Sequence, residues 1–189
     1  MSRSMEVIRS SDFIIDRPTA VCIGKFDGVH IGHQKLLGYI VAQKAKGLRA
    51  AVFSFDPTPE ELFSGKKVGL LCSNDEKESY LEAAGVDIVI EYPLTFERAA
   101  MEPEDFVKNV LIGQMNMHYI AAGEDISFGK NGSGDRKLME KMASEYGFEC
   151  EIIEKVRLDG EIVSSSRVRA AVEEGRMEET FRLLGRKHV

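Results

Sequence analysis

The sequence predicts an α/β fold in which helices cover both faces of a parallel sheet. Two observations carry this prediction. Short apolar runs alternate along the chain with amphipathic stretches of about 10–15 residues, which is the pattern of strand–helix–strand crossover units. The chain has 189 residues, which suits a single domain with its own buried core.

Four apolar runs predict the strands of this sheet. They are residues 20–24 (AVCIG), 50–55 (AAVFSF), 87–91 (DIVIE) and 118–123 (HYIAAG). Each is short and bounded by turn-forming or polar residues, as buried strands are. Residues 149–156 and 161–163 flank Asp159-Gly160, and this spacing predicts a β-hairpin.

Helices are expected between and after these strands. The predicted ranges are residues 32–46, 73–85, 103–113, 136–146, 166–174 and 177–184. Gly47 and Gly147 mark helix ends, because glycine commonly follows the last helical turn. Ser73 and Glu76 have the spacing of a capping box, and Pro103 suits a first helical turn.

Composition limits the possible functions. The chain carries 25 basic and 31 acidic residues, a net charge of −6, which argues against nucleic acid as a partner but not against a small phosphorylated ligand. The sequence has no apolar run of ~20 residues for a membrane helix, no signal-like start, and three cysteines without a CxxC pair. We expect a cytoplasmic protein without a membrane partner. The oligomeric state is left open.

The loops that follow the strands are the candidate sites, because ligands of parallel sheets bind at the carboxyl ends of strands beside a switch in strand order. Residues 24–33 (GKFDGVHIGH) follow the first strand. Three glycines there let the chain turn tightly and let a ligand approach. His30 and His33 at the helix start can both reach one phosphate and stabilise charge that develops on it. A zinc site is disfavoured, because no third ligand lies nearby in the sequence.

Three further segments follow later strands or begin a helix. They are residues 54–59 (SFDPTP), 123–135 (GEDISFGKNGSGD) and 163–169 (VSSSRVR). Taken alone, they are compatible with a turn, a surface loop and a helix cap. The three serines can also donate to phosphate oxygens. Arg167 and Arg169 do not face the same way on a helix, so only one need reach a ligand.

Together the segments predict a nucleotide-phosphate site without a covalent nucleophile. The sequence lacks the GxxxxGK[ST] loop of P-loop kinases, and no GxGxxG follows the first strand. His30 to His33 (HIGH) resembles the HxGH signature of the nucleotidylyltransferase superfamily. Residues 164–169 (SSSRVR) resemble its SSTxxR-type signature, with Arg169 as the last arginine.

The longer strings resemble one branch of that superfamily, the bacterial FAD synthetases, which are bifunctional riboflavin kinase/FMN adenylyltransferases. The resemblance runs from about residue 20 to the end, through GKFDGVHIGHQKLL, SFDPTP, EKESYLEAAGVD, PEDFVKNVL, GEDISFG and LLGRKHV. It implies a Rossmann-like sheet of the nucleotidylyltransferase type with a small C-terminal helical appendage. It also implies transfer of AMP from ATP to FMN, giving FAD and pyrophosphate with Mg²⁺.

The resemblance also assigns residues. It implies that the catalytic residues are His30, His33, Ser165 and Arg169. The ATP-binding residues that it implies are Gly24, Lys25, Phe26, Asp27, Gly28, His30, His33, Ser164, Ser165, Ser166 and Arg169. The FMN-binding residues that it implies are Phe55, Asp56, Pro57, Thr58, Asp125 and Phe128. No metal held by protein side chains alone is expected.

Three departures from the family pattern bear on the acceptor. Lys25 stands where the family usually has Asn, Thr58 where it has His, and residues 124–128 read EDISF rather than DFRFG. Two alternatives to FMN adenylylation therefore stay open: a nucleotidylyltransferase acting on another phosphorylated small molecule, or a non-catalytic flavin- or nucleotide-binding relative. The chain stops at LLGRKHV, about where the family's riboflavin kinase domain would begin. We therefore expect residues 1–189 to form one domain without riboflavin kinase activity.

Overall fold

In the computed structural model of the chain, residues 4–186 are described; the first three residues of the chain and the last three of the LLGRKHV segment lie outside the described residues. The strands of the main sheet are β1 (Glu6–Ile8), β2 (Thr19–Ile23), β3 (Arg49–Asp56), β4 (Ile88–Pro93), β5 (Met117–Gly123) and β6 (Glu149–Ile153). They form one six-stranded sheet in the order β1-β4-β3-β2-β5-β6. Every neighbouring pair is parallel, as predicted.

The helices are α1 (Ile31–Ala42), α2 (Pro59–Ser64), α3 (Asn74–Ala83), α4 (Phe96–Ala99), α5 (Pro103–Asp105), α6 (Arg136–Tyr146), α7 (Ser165–Glu173) and α8 (Met177–Leu184). A 3-10 turn over Gln43–Lys46 ends α1, and a π-helix over Phe106–Gln114 continues α5. The predicted end signals are confirmed: Gly47 and Gly147 cap their helices in the left-handed region, and Ser73 forms the capping box of α3.

The prediction that residues 149–156 form one strand of a hairpin is wrong. The run after α6 does not pair back on itself, because α6 crosses over the sheet and delivers β6 parallel to β5. The hairpin around Asp159-Gly160 is smaller, with β7 (Arg157–Leu158) antiparallel to β8 (Glu161–Ile162). The elements β1, α2 and α4 were not predicted, because they are three to six residues long and too short to show a periodic pattern.

The sheet is buried on both faces. Val52 and Phe53, neighbours on β3, belong to different hydrophobic clusters, because successive strand side chains point to opposite faces. One cluster includes Phe106 and Met139, and the other includes Leu37. A third, smaller cluster joins α7 and α8 to residues of the hairpin and of the loop before α3. This is the helical appendage that the resemblance implies.

The strand order reverses between β2 and β5. From β2 the chain proceeds outward to β3 and β4 on one side, and β5 and β6 then lie on the other side of β2. The loops after β2 and β5 are thereby brought together at the carboxyl edge of the sheet, as expected for a ligand site. No helix within residues 4–186 is long and apolar enough to cross a membrane.

Candidate active site

The loop after β2 is a compact turn in which several residues adopt left-handed backbone angles. Phe26, Gly28 and Val29 have φ of 54°, 73° and 41°. Gly28 suits its position, because its φ is in the left-handed region and an added Cβ would press against Leu71, 3.0 Å from Cδ1. Asp27, only 3% exposed, holds this turn: its Oδ1 accepts from the Leu71 N–H at 2.9 Å.

The two signature histidines lie against each other at the start of α1. Nδ1 of His30 accepts from the His33 N–H at 3.2 Å, so His30 is the N-cap of α1. The two rings are stacked with centroids 3.7 Å apart. In its neutral form His30 therefore carries its proton on Nε2, which is a hydrogen-bond donor.

Burial keeps both imidazoles neutral. It lowers the pKa of His30 to about 4. Burial, together with the neighbouring His30 ring, lowers the pKa of His33 well below its ordinary value. The buried Nδ1 of His33 has no hydrogen-bond partner within the part of the chain that the structure describes.

The start of α7 lies beside this loop. Ser164 caps α7 by accepting from the Arg167 N–H at 3.2 Å, and Ser165 donates to the Asp27 carbonyl oxygen at 3.3 Å. Arg169 donates to Asp27 Oδ2 at 3.3 Å and to the Gly69 carbonyl at 3.0 Å. Arg167 turns away to Glu179 and to the β7–β8 hairpin. Of the two arginines, Arg169 therefore contacts the loop after β2 and Arg167 does not.

These elements enclose a cleft of about 620 Å³. Of the predicted ATP-binding residues, it is lined by Gly24, Lys25, Asp27, His33, Ser165, Ser166 and Arg169. A side cavity of about 280 Å³ is lined by His30 and Ser164, and it shares His33, Asp125 and Ser165 with the cleft. Phe26 and Gly28 line neither cavity. Phe26 instead packs beneath His33, with ring centroids 4.9 Å apart.

An aromatic cavity of about 470 Å³ continues the cleft on its other side. The two share Phe55, Pro59, Glu60 and Ser127, so one groove runs through all three cavities. Phe55 and Phe128, both predicted to bind FMN, lie in the aromatic cavity. Most of its other walls were not predicted from the sequence: Phe63, Tyr92, Leu94, Arg98, Met101 and Phe106. Tyr92 lies at the end of β4, where the strand-end rule could have found it.

The other predicted FMN contacts lie elsewhere. Asp125 and Thr58 line the central cleft rather than the aromatic cavity. Thr58 is the N-cap of α2, and its hydroxyl is engaged with Glu61. Asp56 and Pro57 are exposed and line none of the three cavities. Thus two of the six residues predicted to bind FMN line the aromatic cavity.

Lys25 bridges the two halves of the groove. Its ammonium pairs with Glu61 of α2 at 3.3 Å. The Glu61 carboxylate also accepts from the backbone N–H groups of Thr58 and Val68. Its pKa falls to about 2, chiefly through the hydrogen bond from the Thr58 N–H.

The carboxylates of the central cleft are Asp27, Glu60 and Asp125. Asp27 is engaged with Arg169, and Asp125 pairs with Lys155 at 2.6 Å. No group of three or more His, Cys, Asp or Glu side chains within residues 4–186 is placed to hold a metal ion. The cleft therefore offers single carboxylates rather than a preformed cage, which suits only a divalent cation that brings most of its other ligands with it.

Paired histidines follow a central strand of the parallel sheet, and the start of a helix that bears serines and an arginine faces them. This arrangement defines an α/β fold of the nucleotidylyltransferase type. A family model described as FAD synthetase matches residues 13–167. The chain therefore belongs to the FAD synthetase family.

Named relatives agree with this assignment. The chain is 34% identical over 181 residues to a bifunctional riboflavin kinase/FMN adenylyltransferase of Listeria monocytogenes, covering 93% of this chain and 56% of the relative. It is 33% identical to the protein of the same description from Escherichia coli K12, covering 96% and 59%. It is 32% identical to an FAD synthetase of Listeria monocytogenes, covering 89% and 69%. The chain thus spans little more than half the length of the two bifunctional relatives.

Solved structures share the fold. A Streptococcus pneumoniae structure described as a macrolide-efflux protein superposes with a TM-score of 0.84 at 24% identity, covering 97% of this chain and 71% of that one. A pantoate-β-alanine ligase of Francisella tularensis has a TM-score of 0.54 at 13% identity, covering 94% and 79%. At these identities the likeness is one of fold alone.

Proposed function

We propose that this chain transfers AMP from ATP to FMN, giving FAD and pyrophosphate. The observation that carries the proposal is the continuous groove, in which a polar centre opens directly into an aromatic cavity. The phosphates of ATP are anions that suit neutral imidazole donors, hydroxyls and a guanidinium. The flat, largely apolar flavin ring suits the aromatic walls. Membership of the FAD synthetase family supports the same assignment.

The proposed chemistry needs no covalent intermediate. A phosphate oxygen of FMN attacks the α-phosphorus of ATP, the new P–O bond forms FAD, and the bond to the β-phosphate breaks to release pyrophosphate. The protein positions two anions in line and neutralises the charge that develops between them. His30, His33, Ser165 and Arg169 are the catalytic residues of this proposal.

Arg169 is well suited to this role because it is already oriented. Its guanidinium is held by Asp27 and by the Gly69 carbonyl, so little side-chain freedom is lost when it contacts a phosphate. Mg²⁺ would enter with ATP, held by the phosphates together with Asp125 or Glu60. Bound there, the cation would neutralise phosphate charge. Because the reaction consumes ATP, we expect the chain to act in the cytoplasm.

The test is incubation of the 189-residue chain with Mg²⁺-ATP and FMN, with FAD followed by chromatography and pyrophosphate by a coupled assay. Equimolar FAD and pyrophosphate are expected. Pyrophosphate release with another phosphorylated acceptor but not with FMN would show that the acceptor is wrong. Binding of ATP without pyrophosphate release, whatever the acceptor, would identify a non-catalytic relative.

A further inference from the structure

The strained turn before His30 is fixed from the far end of the described chain. Val29 has a positive φ of 41°, which is an outlier for a β-branched residue. Such a conformation persists only where surrounding contacts impose it. The contacts of the Gly28 and Val29 carbonyl groups identify what imposes it here.

Arg186, which follows α8, supplies most of these contacts. Its guanidinium donates to the Gly28 carbonyl at 2.5 Å and to the Val29 carbonyl at 3.1 Å. The guanidinium carbon lies 3.7 Å from the centre of the Tyr80 ring, a cation–π contact that holds the group from its other face. Gln34 of α1 donates to the same Val29 carbonyl at 2.9 Å.

The docking of this segment is close. Gln34 also donates to the Leu184 carbonyl at 2.8 Å, so it joins the end of α8 to the loop after β2. An added Cβ at Gly185 would lie 3.0 Å from Ile31 Cγ2, so the chain passes directly against the start of α1. Arg186 therefore reaches the loop with little freedom to move.

We propose that Arg186 is a positioning residue, which fixes the peptide groups of Gly28 and Val29 and thereby sets the place of His30. His30 immediately follows Val29 and caps α1, so the peptide geometry at Val29 sets where the His30 side chain starts. Arg186 itself lines none of the three cavities of the groove. It acts through the backbone rather than on a ligand.

The test compares Arg186→Ala with Arg182→Ala. Arg182 lies on α8 and makes two hydrogen bonds of 2.8 Å to Asp159, so the control removes the same side chain from the same segment without touching the loop. The kinetic measurement in this test rests on the proposed function. Arg186→Ala should lower kcat for FAD formation about 10²-fold, the scale for displacing a catalytic group, with a much smaller change in KM for ATP. Arg182→Ala should keep the wild-type kcat.

A second readout needs no activity. NMR titration of the His30 ring should show a neutral imidazole from pH 5 to 7 in the wild type, because burial lowers its pKa to about 4. The titratable groups near this ring are Asp27, the stacked His33 ring and, across the side cavity, Asp125, Glu154 and Lys155. All of them remain in the variant. In Arg186→Ala the loosened loop should let the His30 pKa rise toward its ordinary value of about 6.5.

Arg186→Lys keeps a cation at this position and serves as a second variant in case Arg186→Ala does not fold. A lysine cannot match the fork geometry of the guanidinium, so we expect reduced kcat and a raised His30 pKa here too. Wild-type kcat and an unchanged His30 titration in Arg186→Lys would overturn the proposal. So would identical behaviour of Arg186→Ala and Arg182→Ala. If no variant, including the wild type, makes FAD, the proposed function fails, while the NMR titration still decides the role of Arg186.

Discussion

The Nζ of Lys25 lies 3.3 Å from Oε1 of Glu61, and this ion pair joins the loop after β2 to the helix that walls the aromatic cavity. Lys25 is 30% exposed and lines the cleft, whereas Glu61 is 13% exposed. The lysine thus stands between the polar and aromatic halves of the groove. In the proposed reaction a phosphate entering the cleft would compete with Glu61 for the ammonium.

The first prediction concerns this lysine. Lys25→Ala should weaken ATP binding by roughly 1.5–3 kcal/mol, the range for a hydrogen bond to a charged group. Lys25→Asn should recover part of the loss, because an amide still donates. Glu61→Gln is the matched control and should not weaken ATP binding, since it leaves Lys25 free for phosphate. Calorimetric titration with Mg²⁺-ATP measures all three. Unchanged affinity in Lys25→Ala would remove the lysine from the phosphate site.

The second prediction concerns acid stability. Hydrogen bonds from Thr58 and Val68, with Lys25 nearby, lower the pKa of Glu61 from 4.5 to about 2. The carboxylate therefore stabilises the fold fully above pH ~4.5, and this contribution is lost as the pH falls to about 2. Glu61→Gln should lower the free energy of unfolding at pH 7 by roughly 1–3 kcal/mol, and the deficit should shrink over that window. Urea unfolding at several pH values measures it, with the exposed Glu60→Gln as control. A deficit independent of pH would contradict this account.

The third prediction concerns the histidines. His30→Ala or His33→Ala should lower turnover ~10²–10³-fold, the usual cost of losing one transition-state donor. His118→Ala, an exposed histidine remote in sequence, should keep wild-type turnover. The assay is FAD formation at saturating ATP and FMN. Near-normal turnover in both single variants would show that the pair does not contact the reacting phosphates.

The same histidines predict a pH dependence of stability. The folded pKa values lie below the ordinary value, so the unfolded chain binds protons first as the pH falls. Stability should therefore decline as the pH drops from ~6.5 to about 4. Replacing both rings by Gln should flatten this decline in thermal unfolding, and replacing His118 by Gln should not. A decline of wild-type size in the double variant would assign it to other groups.

Sequence reasoning predicted the sheet and its polar loops because both depend on local signals. The apolar runs at β2 to β5 and the caps at Ser73, Gly47 and Gly147 are each readable within a few residues. The pairing partner of β6 could not be predicted from the sequence, because a strand near an Asp-Gly turn can belong either to a hairpin or to a crossover unit. Only the position of α6 against the sheet decides between them.

Most of the aromatic cavity could not be predicted from the sequence, for a related reason. Its walls come from α2, from the end of β4 and from the helix that begins at Pro103, and these segments come together only in the folded chain. The polar half was predictable because His30, His33 and Arg169 stand in recognisable strings. The role of Asp27 as a partner of Arg169 was not visible, because 142 residues separate the two in sequence.

The fourth prediction separates the two arginines of α7. Arg169→Ala should lower turnover about 10²-fold, because it removes a phosphate donor and leaves the buried Asp27 without its partner. Arg167→Ala should lower stability by loosening α8 and the hairpin, yet keep turnover near the wild-type value. Steady-state kinetics and thermal unfolding of both variants measure the contrast. Equal losses of turnover would mean that both side chains act through folding alone.

The last prediction concerns the rim of the aromatic cavity. Phe63 is 60% exposed, lines the cavity and packs edge-on against Phe96 with ring centroids 5.8 Å apart. A planar ring entering the cavity would stack on or against it, so Phe63→Ala should weaken FMN binding by about 0.5–1.5 kcal/mol and leave ATP binding unchanged. Folding should be unaffected, because the side chain is largely in solvent. Tyr146→Ala, at the exposed end of α6, is the matched aromatic control. Quenching of flavin fluorescence measures the affinity. Equal FMN affinity in Phe63→Ala and Tyr146→Ala would exclude Phe63 from the flavin site, and a parallel loss of ATP affinity would mean that α2 itself had moved.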